Sequence, residues 1–216
     1  MHGNIPSAGE GRTPDLRSPL KKRQILDGAR QVFLLNGYAE ASMDEIAVQA
    51  GVSKGTLYNH FDSKDDLFKS LINVEAEGIA RELPSPDLED PDPASALRQI
   101  GIVILQVMEA PATVATLRLV IGALGRFPGL GEEFLTQSLG PTIERIAEYL
   151  DTHEVAGEIQ SQDNRAIADQ LRRWWLAHAM ERVLAPDRRQ TEADYAAWVE
   201  QVLRALSISA GAHEHA

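Results

Sequence analysis

Apolar residues recur at three- and four-residue spacing along most of the chain, and no alternating run of β-branched residues suggests a strand. The first periodic segment carries Leu20, Ile25, Ala29, Val32, Phe33 and Leu35. Ser18 can cap it, with Pro19 at the first helical position, and Asn36-Gly37 ends it, the glycine being suited to a left-handed residue. The next start signal is Ser42-Met43-Asp44-Glu45, a capping box in which serine and glutamate satisfy each other's orphan amides. Ala50-Gly51 closes that helix early. Val52 and Ser53 then form a corner, and Ser53 caps a third short helix through about His60. A fourth opens at Ser63-Lys64-Asp65-Asp66 and runs through Leu67, Leu71 and Val74 towards Leu83.

The run PSPDLEDPDP at 84–93 cannot continue a helix, because proline removes amides and clashes with the preceding turn. Beyond it the pattern predicts helices at 94–109, 111–126, 130–150, 162–185 and 191–208, with Phe127-Pro128-Gly129-Leu130 as a turn. Gly140-Pro141 is able to split or kink the third of these. There is no internal repeat. The expected architecture is all-α: a disordered arm at 1–17, a three-helix unit with a linking helix at 18–83, a Pro/Asp-rich linker at 84–93, a larger helical domain at 94–208 and a frayed tail at 209–216.

Composition narrows the function classes. With 216 residues, 44% of them hydrophobic, the chain can bury a large core. The absence of cysteine removes disulfides, thiolate nucleophiles and cysteine-ligated metals. No stretch resembles a signal peptide or approaches eighteen uninterrupted apolar residues, so a soluble, cytoplasmic protein without a membrane partner is expected. The net charge of −11 taken alone opposes a nucleic-acid partner. Its distribution reverses that inference. Between Arg17 and Ile72 there are eight Lys/Arg against seven Asp/Glu, or +1, which leaves −12 on the remainder. Any nucleic-acid surface therefore lies in the first third.

That third contains GVSKGTLYNHF at 51–61, where nearly every residue is a turn former or can hydrogen-bond. Two short helices joined by a tight glycine-containing corner, with a longer helix in front, describe a helix-turn-helix. Gly51 lets the chain turn, Val52 plugs the interface, and Ser53 caps the helix whose start would enter a major groove. Gly55 and Thr56 add almost no bulk there, so backbone can approach a duplex. Tyr58, Asn59 and His60 offer hydrogen bonds to phosphates or a base edge, while Leu57 and Phe61 face inward. Lys54 and Lys64 supply charge at either end. Lys21, Lys22 and Arg23 are either a solvated helix start or a second hold on the DNA backbone or minor groove.

From about Ile25 to Leu71, and above all in SMDEIAVQAGVSKGTLYNHFDSKDDLF, the chain resembles the DNA-binding domain of the TetR/AcrR family of transcriptional regulators. The resemblance implies phosphate contacts at Ser42, Tyr58, His60 and Lys64, and base reading at Lys54, Gly55, Thr56 and Asn59. The family more often has Tyr or Arg where Asn59 stands, which leaves base preference there open. LRLVIGALGRFPGLGEEF at 117–134 further resembles the regulatory half of an AefR-like subgroup.

In that family the C-terminal helices enclose a ligand cavity and form the dimer, usually as a four-helix bundle of the last two helices of each subunit. Here the helix after Asp163 places Ile167, Leu171, Trp175, His178 and Arg182 on one side, and Tyr195, Val199, Val202, Leu203 and Leu206 line the next. Both stripes need a partner, either the same subunit's core or a second subunit. Candidate pocket residues are Leu105, Met108, Arg118, Ile121, Phe127, Phe134, Trp174, Trp175 and His178, a mostly apolar set. Arg118 could meet an acidic ligand or pair with a nearby carboxylate.

Catalytic motifs are missing. His153 and His178 are isolated, there is no H-E-x-x-H or P-loop spacing, Glu144 and Glu148 suit a solvated face, and His213-Glu214-His215 lies in the tail. No enzyme activity, metal or cofactor is expected. The resemblance implies a homodimeric repressor of a palindromic operator in double-stranded DNA, released by an unknown small-molecule effector. A constitutive or activating regulator is the variant within that class. An all-α interaction scaffold without DNA binding is the reading from another class.

Overall fold

The computed structural model describes residues 19–87, 92–152, 164–185 and 190–206. Ser18, the 1–17 arm, His153 and the 209–216 tail fall outside these residues. Among the described residues the chain is helical with no strand: α1 Pro19–Glu40, α2 Met43–Gln49, α3 Lys54–His60, α4 Lys64–Glu82, α5 Pro93–Glu109, α6 Pro111–Ala123, α7 Leu130–Ser138, α8 Gly140–Thr152, α9 Asn164–Leu184 and α10 Glu192–Ala205. The all-α expectation holds.

Local chemistry sets most boundaries. The Ser42 and Glu45 capping box forms at the start of α2, and Ser53 and Ser63 cap α3 and α4 by accepting from the Thr56 and Asp66 amides. Gly37 takes φ +73°, so α1 breaks there even though helical bonding resumes to Glu40. Several ends differ from the sequence pattern, three of them for a plain local reason. The helix expected from 94 begins at Pro93, because Asp92 accepts from the Ala94 and Ser95 amides and turns the last linker residues into a cap. The helix expected to reach 126 ends at Ala123, where the Arg126 and Phe127 amides both bond the Ala123 carbonyl in a turn. The 130–150 segment divides at Leu139 into α7 and α8, since Pro141 has no amide to continue the ladder.

Helices α1 to α3 close over Ile25, Ala29, Phe33, Ile46, Leu57 and Phe61, all at most 2% exposed. α4 leaves this unit and enters the larger domain, where α6 and α7 pack on it while α6 also packs on α1. The buried apolar residues of both halves form one continuous cluster. The α9 stripe of Ile167, Leu171, Trp175 and His178 is buried within the same chain, as are Val199, Val202 and Leu203 of α10 and Leu206 just beyond its end. Periodicity alone left that partner undecided. No single described helix is long and apolar enough to cross a membrane.

Candidate functional site

α2 and α3 meet at a corner held from behind by α1. Gly51 has φ +62°, a conformation costly for any residue with a Cβ, and the Gln24 amide on α1 donates to the Ala50 carbonyl at 2.6 Å. α1 can approach this closely because residue 28 is glycine: a Cβ there would lie 2.7 Å from Ala50 Cα, Cβ and N. Leu57 and Phe61 anchor the inner face of α3, at 0% and 2% exposure. Its outer face is thereby fixed.

That face carries Ser53, Lys54, Gly55, Tyr58 and Asn59, all exposed, with Thr56 half-buried beside them. Ser53 and Thr56 are tied at 2.8 Å between hydroxyls, which uses Ser53 as a cap before any outside contact. Gly55 is open, the nearest atom to an added Cβ being Ser53 Oγ at 3.9 Å. The fold does not require a glycine there; a partner surface lying against α3 would. Ser42 is half-buried in its capping box.

Three further expected contacts are already engaged or turned inward. Lys64 donates from Nζ to the carbonyls of Tyr38, Ala39 and Ala41 at 2.9, 2.9 and 3.0 Å, tying α4 to the end of α1. An ammonium has three protons, so a phosphate contact would have to replace one of these bonds. His60 is half-buried with its Nε2 enclosed and without a hydrogen-bond partner, which leaves Nδ1 as the nitrogen for an outside contact. Lys54 Nζ pairs with Asp44 Oδ1 at 2.6 Å, and that carboxylate holds the ammonium above its ordinary pKa.

The nine candidate pocket residues fall into separate environments. Leu105, Met108, Phe134, Trp175 and His178 are buried core. Phe127 instead packs on the helix-turn-helix unit, 5.9 Å from Phe68 and 5.1 Å from Tyr38 between ring centroids. Arg118 is exposed and donates to the Val183 carbonyl at 3.1 Å rather than facing an interior, and Ile121 is 39% exposed. Trp174 borders a surface groove of about 250 Å³ with Trp198, Gln201, Val202 and Ala205. A single cavity lined by all nine is not the arrangement found.

Two polar groups escaped the sequence pattern. The first is a buried node around Glu109 on α5, whose carboxylate accepts from His178 Nε2 at 2.6 Å and Tyr195 OH at 2.9 Å, with Arg182 Nε at 3.1 Å. Burial, followed by the bond to Glu109, pushes the Tyr195 hydroxyl up to about 12. A glutamate at the end of an apolar helix followed by Ala110-Pro111 gave no signal of its role. The second joins the two halves: Arg126 in the α6–α7 turn pairs with Asp65 at 2.7 Å, and Tyr38 donates to the same carboxylate. The Tyr38 bond, then Arg126, hold the Asp65 carboxyl below its usual range. Lys69 lies over the Phe127 ring beside them, 5.2 Å from its centroid.

Comparison with known proteins places both halves. The pattern described as bacterial regulatory proteins, tetR family, matches residues 25–71, and that of the AefR-like transcriptional repressor C-terminal domain matches 95–206. The chain is 39% identical over 74 residues to the HTH-type transcriptional activator FasR of Mycolicibacterium smegmatis, covering 34% of each chain. It thus spans about a third of that relative's length. It is 34% identical over 147 residues to an uncharacterized HTH-type transcriptional regulator of Mycobacterium tuberculosis, covering 62% of this chain and 72% of the other. Among solved structures, the flavonoid-responsive regulator FrrA superposes with a TM-score of 0.70 at 31% identity, over 87% of this chain and 97% of the other.

Proposed function

The chain belongs to the tetR family of bacterial regulatory proteins, with an AefR-like C-terminal domain, and from that premise we propose that it is a ligand-responsive repressor that binds a palindromic operator as a homodimer. The observation that carries the DNA-binding reading is α3 itself, whose inner face is locked by Leu57 and Phe61 while its outer face is bare at Gly55 and polar elsewhere. Repression, rather than activation, is supported by the AefR-like repressor domain matched over 95–206. The scaffold reading has no observation in its favour. A DNA-binding regulator works where the chromosome is, in the cytoplasm.

With the inner stripes of α9 and α10 consumed by the chain's own core, the second subunit takes the remaining face. The groove between Trp174 and Trp198 supports this, since two tryptophans with Val202 and Ala205 beside them offer the apolar centre that a dimer contact needs. A two-fold pair then presents two copies of α3 to two half-sites.

Effector response requires a connection from the acidic half to α3. Arg126 and Phe127 supply it: both lie in one turn of the regulatory domain, and both grip the α1 end and the α4 start. A second tie runs from α6 through α4 to α1, where Thr116 donates to Glu75 at 2.9 Å and Glu75 pairs with Arg30 at 3.0 Å. A ligand that binds one arrangement of α6 more tightly shifts both ties and hence the spacing of the two recognition helices.

The test is selection of genomic fragments by the purified protein, followed by titration of the recovered duplex with Tyr58→Ala/His60→Ala. We expect a short palindrome, and a loss of roughly tenfold or more in affinity for the double variant, two hydrogen bonds to charged phosphates being lost per subunit. Undiminished binding would refute this placement of the phosphate contacts. Failure to enrich any sequence at low salt would refute the regulator reading.

A further inference from the structure

Asp44 is the second residue of α2 and Lys54 the first of α3, and their side chains meet across the corner at 2.6 Å. Both remain open to solvent, at 68% and 60% exposure. Burial therefore does not demand the pair, since neither charge has lost its water. Nor does helix capping need it: Ser42 and Glu45 cap α2, and Ser53 caps α3. What the pair does accomplish is to neutralise the one cation on the outer face of the recognition helix, in a chain whose net charge is already −11.

We propose that Asp44 sets how well this protein distinguishes its operator from random DNA, by holding Lys54 off the phosphates until α3 is seated in its own site. The proposal rests on the regulator reading above. On random sequence, attraction comes from phosphates alone, and each lysine that neutralises one releases counterions and contributes a salt slope of about −0.9. A lysine closed on a carboxylate contributes nothing to that attraction, because the pair approaching a polyanion is neutral. On the operator, α3 stands at a fixed depth, and Lys54 gains a partner at a fixed position, a base edge or an adjacent phosphate. The pair opens there because that partner replaces the carboxylate at one fixed position, which phosphates met at shifting distances on random sequence do not. Asp44 thus withholds one full charge contact from every wrong site and only a small fraction of one from the right site.

The experiment measures binding of the full chain to the selected operator duplex and to a random duplex of equal length, from about 50 to 200 mM salt, for wild type, D44N, K54Q and the double variant. For D44N on random DNA we expect a slope steeper by about 0.9 per subunit, or about 1.8 for the dimer, and, at 0.1 M salt, roughly sixtyfold tighter binding, which is that slope evaluated at 0.1 M. The operator should gain clearly less, so that discrimination falls. The double variant should match K54Q, because the effect runs through the lysine. An unchanged random-DNA slope in D44N overturns the proposal. So does a gain that persists in the K54Q background, which would make Asp44 a direct repellent of DNA. If D44N loses helical signal, Asp44→Ser keeps a small polar group at the start of α2 and takes its place in the same comparison. Wild-type protein that prefers no sequence overturns the regulator reading itself; wild type that selects an operator while D44N behaves identically overturns this proposal alone.

Discussion

Gly28 shows how much of a DNA-binding corner can rest on one missing methyl group. A Cβ there would stand 2.7 Å from the backbone of Ala50, the last residue before the turn, and helix and corner would have to separate. Gly28→Ala should cost about 1–3 kcal/mol, as overpacked sites do, measured by urea unfolding. Gly37→Ala is the matched control. Gly37 has φ +73° and ψ 173° but nothing within 4 Å, so only the backbone resists, at about 1–3 kcal/mol. The predicted sign at Gly28 also runs against helix propensity, which favours alanine by about 1 kcal/mol, so a stabilised variant would show that α1 does not press on the corner. In the sequence Gly51 stood out because it sits between two helix signals. Gly28 did not, because its partner lies 22 residues away.

The elements of the larger domain are tied by a polar node as well as by apolar stripes. Glu109 at the end of α5 gathers His178 and Arg182 from α9 and Tyr195 from α10, and a buried carboxylate with several partners fixes the rotation of the helices that supply them. Tyr195 gives this a pH signature. Its folded value, raised from 10.0 to about 12, means that the neutral hydroxyl is favoured by folding. The contribution is complete below pH 10 and is lost as pH rises through about 12. Thermal melts across that window should show wild type losing its advantage over Tyr195→Phe, and absorbance near 295 nm should show one fewer late-ionising tyrosine in the variant. Equal melting curves for both proteins at neutral pH would remove Tyr195 from the node. Periodicity placed His178, Arg182 and Tyr195 on inward stripes. It had no means of adding Glu109, 69 residues before His178.

Across the whole molecule the charge is divided: near neutrality from Arg17 to Ile72, and about −12 elsewhere by subtraction from −11. A polyanion therefore meets a local surface and not the average. Operator affinity should fall at least roughly a hundredfold between 50 and 200 mM salt for a dimer making several phosphate contacts, despite the sequence pI of about 5.0. A flat log–log plot from filter binding or fluorescence anisotropy would mean that phosphates contribute little. The two ties between the halves do not follow from this division. Arg126, from the acidic domain, pairs with Asp65 of the DNA-binding unit, and Arg30 of that unit pairs with Glu75 in the helix between them. The Arg126 pair, open to solvent on its arginine side, adds little stability, but with Phe127 wedged beside Phe68 and Tyr38 it fixes an orientation.

The sequence by itself determined where most of the helices lie, the serine caps of α2, α3 and α4, the helix-turn-helix and the family, because serine caps, glycine turns, proline stops and apolar spacing act within a few residues. Even its open question at Gly140-Pro141 was local and resolved as a break at Leu139. Tertiary structure decided which faces of α9 and α10 the chain buries itself, that Lys64 serves the end of α1, that Phe127 belongs to the interface of the two halves, and that Asp44 restrains Lys54. Each of these depends on a pairing across a corner or between distant helices, where distance and direction are set by packing and leave no periodic trace in the chain.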